Sequence, residues 1–194
     1  MKIRTSKSIS IETGVFIAIV IAAIFLRTYR LDISPDYNQD EALYQAVALE
    51  ILRNHEILYP HGMVYKYFFL QPPLFPMTLS VVSYFFGCGI FQTRLLNALF
   101  GTLTVILMYV FIRKYYNKKS AYILAAYFAV DPYILLINRW AYLETMATFF
   151  ATISLMLFLI AYENGTRNMA IGSGIAFGLA MLTKLPSIFV FLVI

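Results

Sequence analysis

Three carboxylates and two guanidinium groups stand where their types could do chemistry. Asp40 and Glu41 are adjacent, and Asn38 precedes them at the spacing of a helix cap. Glu41 lies three residues after Asn38, in the position of a capping box. Acids in a first helical turn are ordinary helix signals, and the positive end of the helix dipole keeps them ionised. Glu144 is different, because it follows Arg139-Trp140-Ala141-Tyr142 and enters a long apolar stretch. A carboxylate entering such a stretch is expensive unless it is paired or used. Arg139 is its near neighbour for pairing. Arg94 opens another apolar stretch, where a snorkelling anchor and an anion contact are the two readings. Carboxylates accept protons and hold cations, while arginine holds anions.

The elements that must position these groups are membrane helices. Hydrophobic residues make up 61% of the 194 residues and charged residues 13%. A soluble domain carries about 45–50% and about 25% respectively. Mean hydropathy is +0.74. These values exclude a disordered chain and point to an all-α, multi-pass bundle, because no alternating ten-residue strands are present. Five apolar stretches can span: 11–31, 95–112, 121–137, 143–162 and 169–183. A sixth opens at Leu185. Gly172, Gly174 and Gly178 would permit close packing of the short fifth span. The first span reads as an uncleaved anchor, since Arg27, Tyr29 and Arg30 follow Leu26 where a cleavage site would need small residues.

Sidedness follows from short basic clusters. Lys2, Arg4 and Lys7 precede the first span, and Arg113, Lys114, Lys118 and Lys119 follow the second. The positive-inside rule puts both clusters in the cytoplasm. That requires the apolar run 74–91, broken at its start by Pro72, Pro73 and Pro76, to be a partly embedded helix and not a span. Residues 31–93 then form a long outer loop. In it a surface helix runs from Asp40 to about Asn54, with Leu43, Val47 and Ile51 as its apolar stripe. Asp32, Asp36, Asp40, Glu41, Glu50, Glu56 and Glu144 all fall outside, although acids took no part in orienting the chain.

Other groups read as structural. Arg27 and Arg30 are expected as interfacial anchors. His55 and His61 match no zinc spacing. Single Cys88 excludes an intrachain disulfide and a cysteine cluster. The net charge of +5 is a topology signal, and no nucleic-acid partner is expected. Asn164-Gly-Thr166 has the letters of a glycosylation sequon but is placed inside.

Five segments carry a family resemblance. They are Asp40-Glu41-Ala-Leu-Tyr, Pro72-Pro73-Leu74, Arg94-Leu-Leu-Asn97-Ala-Leu-Phe-Gly101, Arg139-Trp-Ala-Tyr-Leu-Glu144 and Gly178-Leu-Ala-Met-Leu-Thr-Lys184. In this order the chain resembles the C-type (GT-C) membrane glycosyltransferases, in the protein O-mannosyltransferase and aminoarabinose-transferase branch. The resemblance implies that residues 1–194 are the N-terminal membrane module of a larger enzyme, interrupted in its sixth span. It implies sugar transfer from a polyprenyl-phosphate donor to an acceptor protein, lipid or glycan at the outer face of the cell membrane. Asp40 stands at the position of the catalytic base, Glu144 at that of a second acid of the same site, and Arg94 at that of a contact to the donor phosphate. Glu41 and Arg139 are expected beside the substrate. Leu70 and Gln71 stand where relatives often carry an acid, Lys or His that contacts metal or phosphate, which speaks against the aminoarabinose-transferase reading and against a metal held at that corner; a divalent metal ion stays open as cofactor. Attack on the face opposite the phosphate would invert the anomeric centre. The rival expectation is a multi-pass protein that binds or flips lipid-linked sugars without chemistry.

Overall fold

The computed structural model describes residues 4–54 and 72–192. Eight α-helices occur among them: α1 (Arg4–Thr28), α2 (Gln39–Asn54), α3 (Leu74–Phe86), α4 (Ile90–Tyr115), α5 (Lys118–Val130), α6 (Pro132–Arg139), α7 (Leu143–Asn164) and α8 (Arg167–Thr183). A 3-10 helix covers Leu185–Leu192. No strand occurs among the described residues, and the chain is an all-α membrane protein. His55, Glu56, His61, Leu70 and Gln71 lie outside the described residues.

Among the described residues three helices are long and apolar enough to cross a bilayer: α1 from Ile11, α4 and α7. The expected third span is not one straight helix. It is the pair α5 and α6, bent by 56° at Asp131. Pro132 causes the break, because it has no N–H to continue the ladder. Asp131 then caps the new helix, its Oδ1 accepting from Ile134 N at 2.9 Å. The expected fifth span, α8, has 17 residues and is not among the three. It packs along α7 as the most extensive helix pair of the fold. The seam is polar at its middle, where Ser154 Oγ donates to Ser173 O and Ser173 Oγ to Ser154 O, at 3.0 and 2.9 Å. Of the expected packing glycines only Gly172 meets a neighbour, Leu157; Gly174 and Gly178 face open space. Ala176 and Ala180 are the buried small residues instead.

The bundle has two distinct ends. At one, Glu12 of α1 meets Arg113 of α4 at 3.4 Å and Lys118 of α5 at 3.0 Å. Beside it Phe16 stacks on Tyr109 at 3.9 Å, and the small residues Ala23, Ala121, Ala125 and Ala129 let α1, α4 and α5 close together. At the other end α2 packs on α3, and α3 on α4. Helices α2 and α3 share a core of Tyr44, Ala48, Phe75 and Leu79 with Leu96, Ala141, Leu143 and Met146. The buried stripe of α2 is Tyr44, Val47, Ala48 and Ile51, rotated from the expected one, since Leu43 is only half-buried. At 13 residues α3 is about 20 Å long, too short to cross. It ends at Gly87, whose φ of 85° and ψ of 164° favour glycine.

Candidate functional site

The site is built where α2, α4 and α7 begin and α8 ends. Asn38 Oδ1 accepts from Glu41 N at 3.1 Å, so the expected cap is made. The second half of a capping box is not, because the Glu41 side chain turns inward. It receives Arg94 Nε at 2.8 Å and Arg94 Nη2 at 2.7 Å, while Ala141 N donates to it at 2.8 Å. Arg94 also donates to Leu31 O at 3.0 Å. Both side chains are 1% exposed. One carboxylate thus fastens the start of α2 to the start of α4 and to the connector before α7. Glu41 and Arg94, expected beside a substrate, lie against each other inside the protein.

The connector between α6 and α7 is held from several sides. Asn97 Nδ2 donates to Trp140 O and Tyr142 O, each at 2.6 Å. Arg139 donates to Leu26 O at 2.7 Å, Tyr29 O at 2.9 Å and Ser34 O at 2.6 Å. Its expected ion pair with Glu144 is not formed; its bonds go to backbone carbonyls of the last turn of α1 and of the turn after it. Trp140 Nε1 donates to Asp36 O at 3.1 Å. These contacts fix the first turn of α7, which carries Glu144.

Asp40 is exposed, unlike its neighbour Glu41. Burial, then Glu144, Asp40 and Tyr142, pushes the Tyr44 phenol above its ordinary value. Burial, then Asp40, Glu41 and Glu144, does the same at Tyr142. Both phenols therefore feel Asp40 and Glu144 together, although the acids are far apart in sequence.

Glu144 accepts a charge-assisted hydrogen bond from Lys184 Nζ. Lys184 caps α8 and is one-third exposed, with its cation at the negative end of that helix. Lys184 closes the last of the five resembling segments, which by itself gives it no role. The available signal was a lone cation closing an apolar helix just before Leu185-Pro186. Glu144 also lines a cavity of about 290 Å³ with Arg27, Gly101, Thr104, Tyr133, Asn138 and Thr145. Arg27, expected as an interfacial anchor, is fully buried. Among the described residues no three His, Cys, Asp or Glu side chains converge as a metal site would need.

This geometry accompanies clear relationships. The profile of the family "Dolichyl-phosphate-mannose-protein mannosyltransferase" matches residues 70–194. An uncharacterised protein of Aquifex aeolicus is 32% identical over 187 residues, covering 90% of this chain and 35% of its own. The undecaprenyl phosphate-alpha-4-amino-4-deoxy-L-arabinose arabinosyl transferase of Wigglesworthia glossinidia brevipalpis is 23% identical, covering 76% of this chain and 27% of its own. The protein of the same name from Erwinia tasmaniensis is 22% identical, covering 79% and 29%. The chain thus spans about a third or less of the length of these relatives. With the matched segment exceeding half of its residues, the chain belongs to the dolichyl-phosphate-mannose-protein mannosyltransferase family.

Proposed function

We propose that this chain is the N-terminal membrane module of an inverting glycosyltransferase. It would move a sugar from a polyprenyl-phosphate donor to an acceptor hydroxyl at the non-cytoplasmic face. The observation that carries the reading is the ion pair between Glu144, which opens α7, and Lys184, which closes α8, with both side chains partly exposed and Glu144 lining the 290 Å³ cavity. A polyprenyl phosphate keeps its tail in the bilayer, so its sugar–phosphate bond lies at the interface. Groups at the heads of membrane helices meet it there.

The chemistry balances with these groups. The Asp40 carboxylate takes the proton of the acceptor hydroxyl as its oxygen bonds to the anomeric carbon. The bond from that carbon to the phosphate oxygen breaks, and the electron pair leaves with the polyprenyl phosphate. The departing phosphate gains negative charge, and a nearby cation stabilises it. In this reading Lys184 supplies that cation, since its ammonium is partly exposed whereas Arg94 is closed off by Glu41. Glu144 holds Lys184 and faces the cavity. Glu41, Arg94 and Arg139 build the frame. Attack opposite the phosphate inverts the anomeric centre.

Asp40→Asn in the full-length protein tests this. Transfer from a polyprenyl-phosphate hexose should fall by roughly 10²–10⁴-fold. Donor retention and the thermal midpoint in detergent should stay unchanged, because Asp40 is exposed. Undiminished transfer would remove Asp40 from catalysis. Loss of donor affinity in a protein without transfer activity would favour a carrier of lipid-linked sugars.

A further inference from the structure

Among the described residues Arg27 has no carboxylate partner, yet it is fully buried in the last turn of α1. Its position answers a need created by Pro132. In a continuous helix the N–H of residue 132 would donate to Phe128 O, and that of residue 133 to Ala129 O. Proline has no N–H, and the 56° bend carries Tyr133 away from the ladder. Arg27 fills both vacancies, Nη2 donating to Phe128 O at 2.8 Å and Nη1 to Ala129 O at 3.2 Å. The negative end of the α5 dipole offsets its charge.

The same guanidinium reaches further. Arg27 Nε donates to Asn138 Oδ1 at 3.0 Å. Asn138 Nδ2 donates to Thr145 Oγ1 at 3.2 Å, and Thr145 Oγ1 donates to Ile137 O at 3.3 Å. Thr145 adjoins Glu144, and Arg27, Asn138, Thr145 and Glu144 share the wall of the 290 Å³ cavity. We propose that Arg27, Asn138 and Thr145 form a positioning relay, which uses the broken end of α5 as an anchor to fix the turn that presents Glu144 to Lys184. The proposal rests on the reading of Glu144 as part of a transferase site. The relay touches no substrate and acts through Glu144.

The experiment uses the full-length protein and two readouts. Thr145→Val keeps the shape of the side chain and removes the hydroxyl. With polyprenyl-phosphate hexose as donor and native membranes supplying acceptors, the maximal rate should fall roughly tenfold or more. The donor KM should stay within about twofold, since no binding contact is lost. Thr145→Ser should restore the rate. The second readout needs no activity. In a Cys88→Ser background, Glu144→Cys and Lys184→Cys are joined by a short bifunctional thiol reagent, with and without Asn138→Ala. Joining should be efficient with Asn138 present and fall by more than half without it. Equal joining in both proteins, or an unchanged rate in Thr145→Val, overturns the relay. Absence of transfer by the unaltered protein overturns the proposed function alone, and the joining experiment then decides the relay.

Discussion

Asp40 and Glu41 are neighbours of one chemical type, yet they have opposite fates. Asp40 is exposed, and Glu41 is sealed against Arg94 with all its described contacts inside the protein. The buried pair joins four chain segments, and removing one partner strands a charge. Glu41→Leu should destabilise the protein by about 3–5 kcal/mol. Glu41→Leu combined with Arg94→Met should recover most of that, because neither charge is then left alone. Thermal unfolding of both variants in detergent checks the pair. Equal losses would mean that the bridge is not the source of stability. If Arg94 instead served a donor phosphate directly, the double variant would recover stability and lose donor affinity. The adjacency of the two acids was legible in the sequence, but their division of labour was not. It depends on Arg94 and Ala141, which approach from distant parts of the chain.

At the scale of elements, one face of α4 explains a whole motif. Arg94, Asn97 and Gly101 recur at three- and four-residue intervals and point the same way. Arg94 takes the start of α2, Asn97 the connector before α7, and Gly101 the Arg27–Asn138 bond. A Cβ at Gly101 would overlap Asn138 Oδ1 and come to 3.0 Å from Arg27 Nε. Gly101→Ala should therefore cost about 1–3 kcal/mol. The loss should disappear in an Asn138→Ala background, where the obstructing amide is gone. Melting curves of the four proteins measure this coupling, and additive losses would refute it. The bend between α5 and α6 is the complementary lesson. Pro132 announced a break within an apolar run, but nothing in the run named Arg27 as the residue that repairs it.

At the scale of the molecule, the two ends carry different chemistry. Glu12 gathers Arg113 and Lys118 of the second basic cluster at one end. Asp40, Glu144 and Lys184 belong to the other. In the topology we propose, the first end is cytoplasmic. Asn117 caps α5 there, its Oδ1 accepting from Ser120 N at 2.8 Å. Asn117→Cys in a Cys88→Ser background should resist an impermeant maleimide until the membrane is opened. Labelling in intact cells would reverse the orientation and move the proposed site to the cytoplasmic face.

The sequence alone determined the all-α membrane class, the positions of most helices, the cap at Asn38 and the family of the chain. Those features are local: apolar length, proline, capping residues and short motifs declare themselves within a few residues. Tertiary structure alone decided that Glu41 is a clasp, that Lys184 meets Glu144, and that Arg27 turns inward to close a broken helix. Such choices depend on which unsatisfied polar groups meet once the helices pack. In an apolar interior each donor must find an acceptor, and that partner is set by the fold and not by distance along the chain.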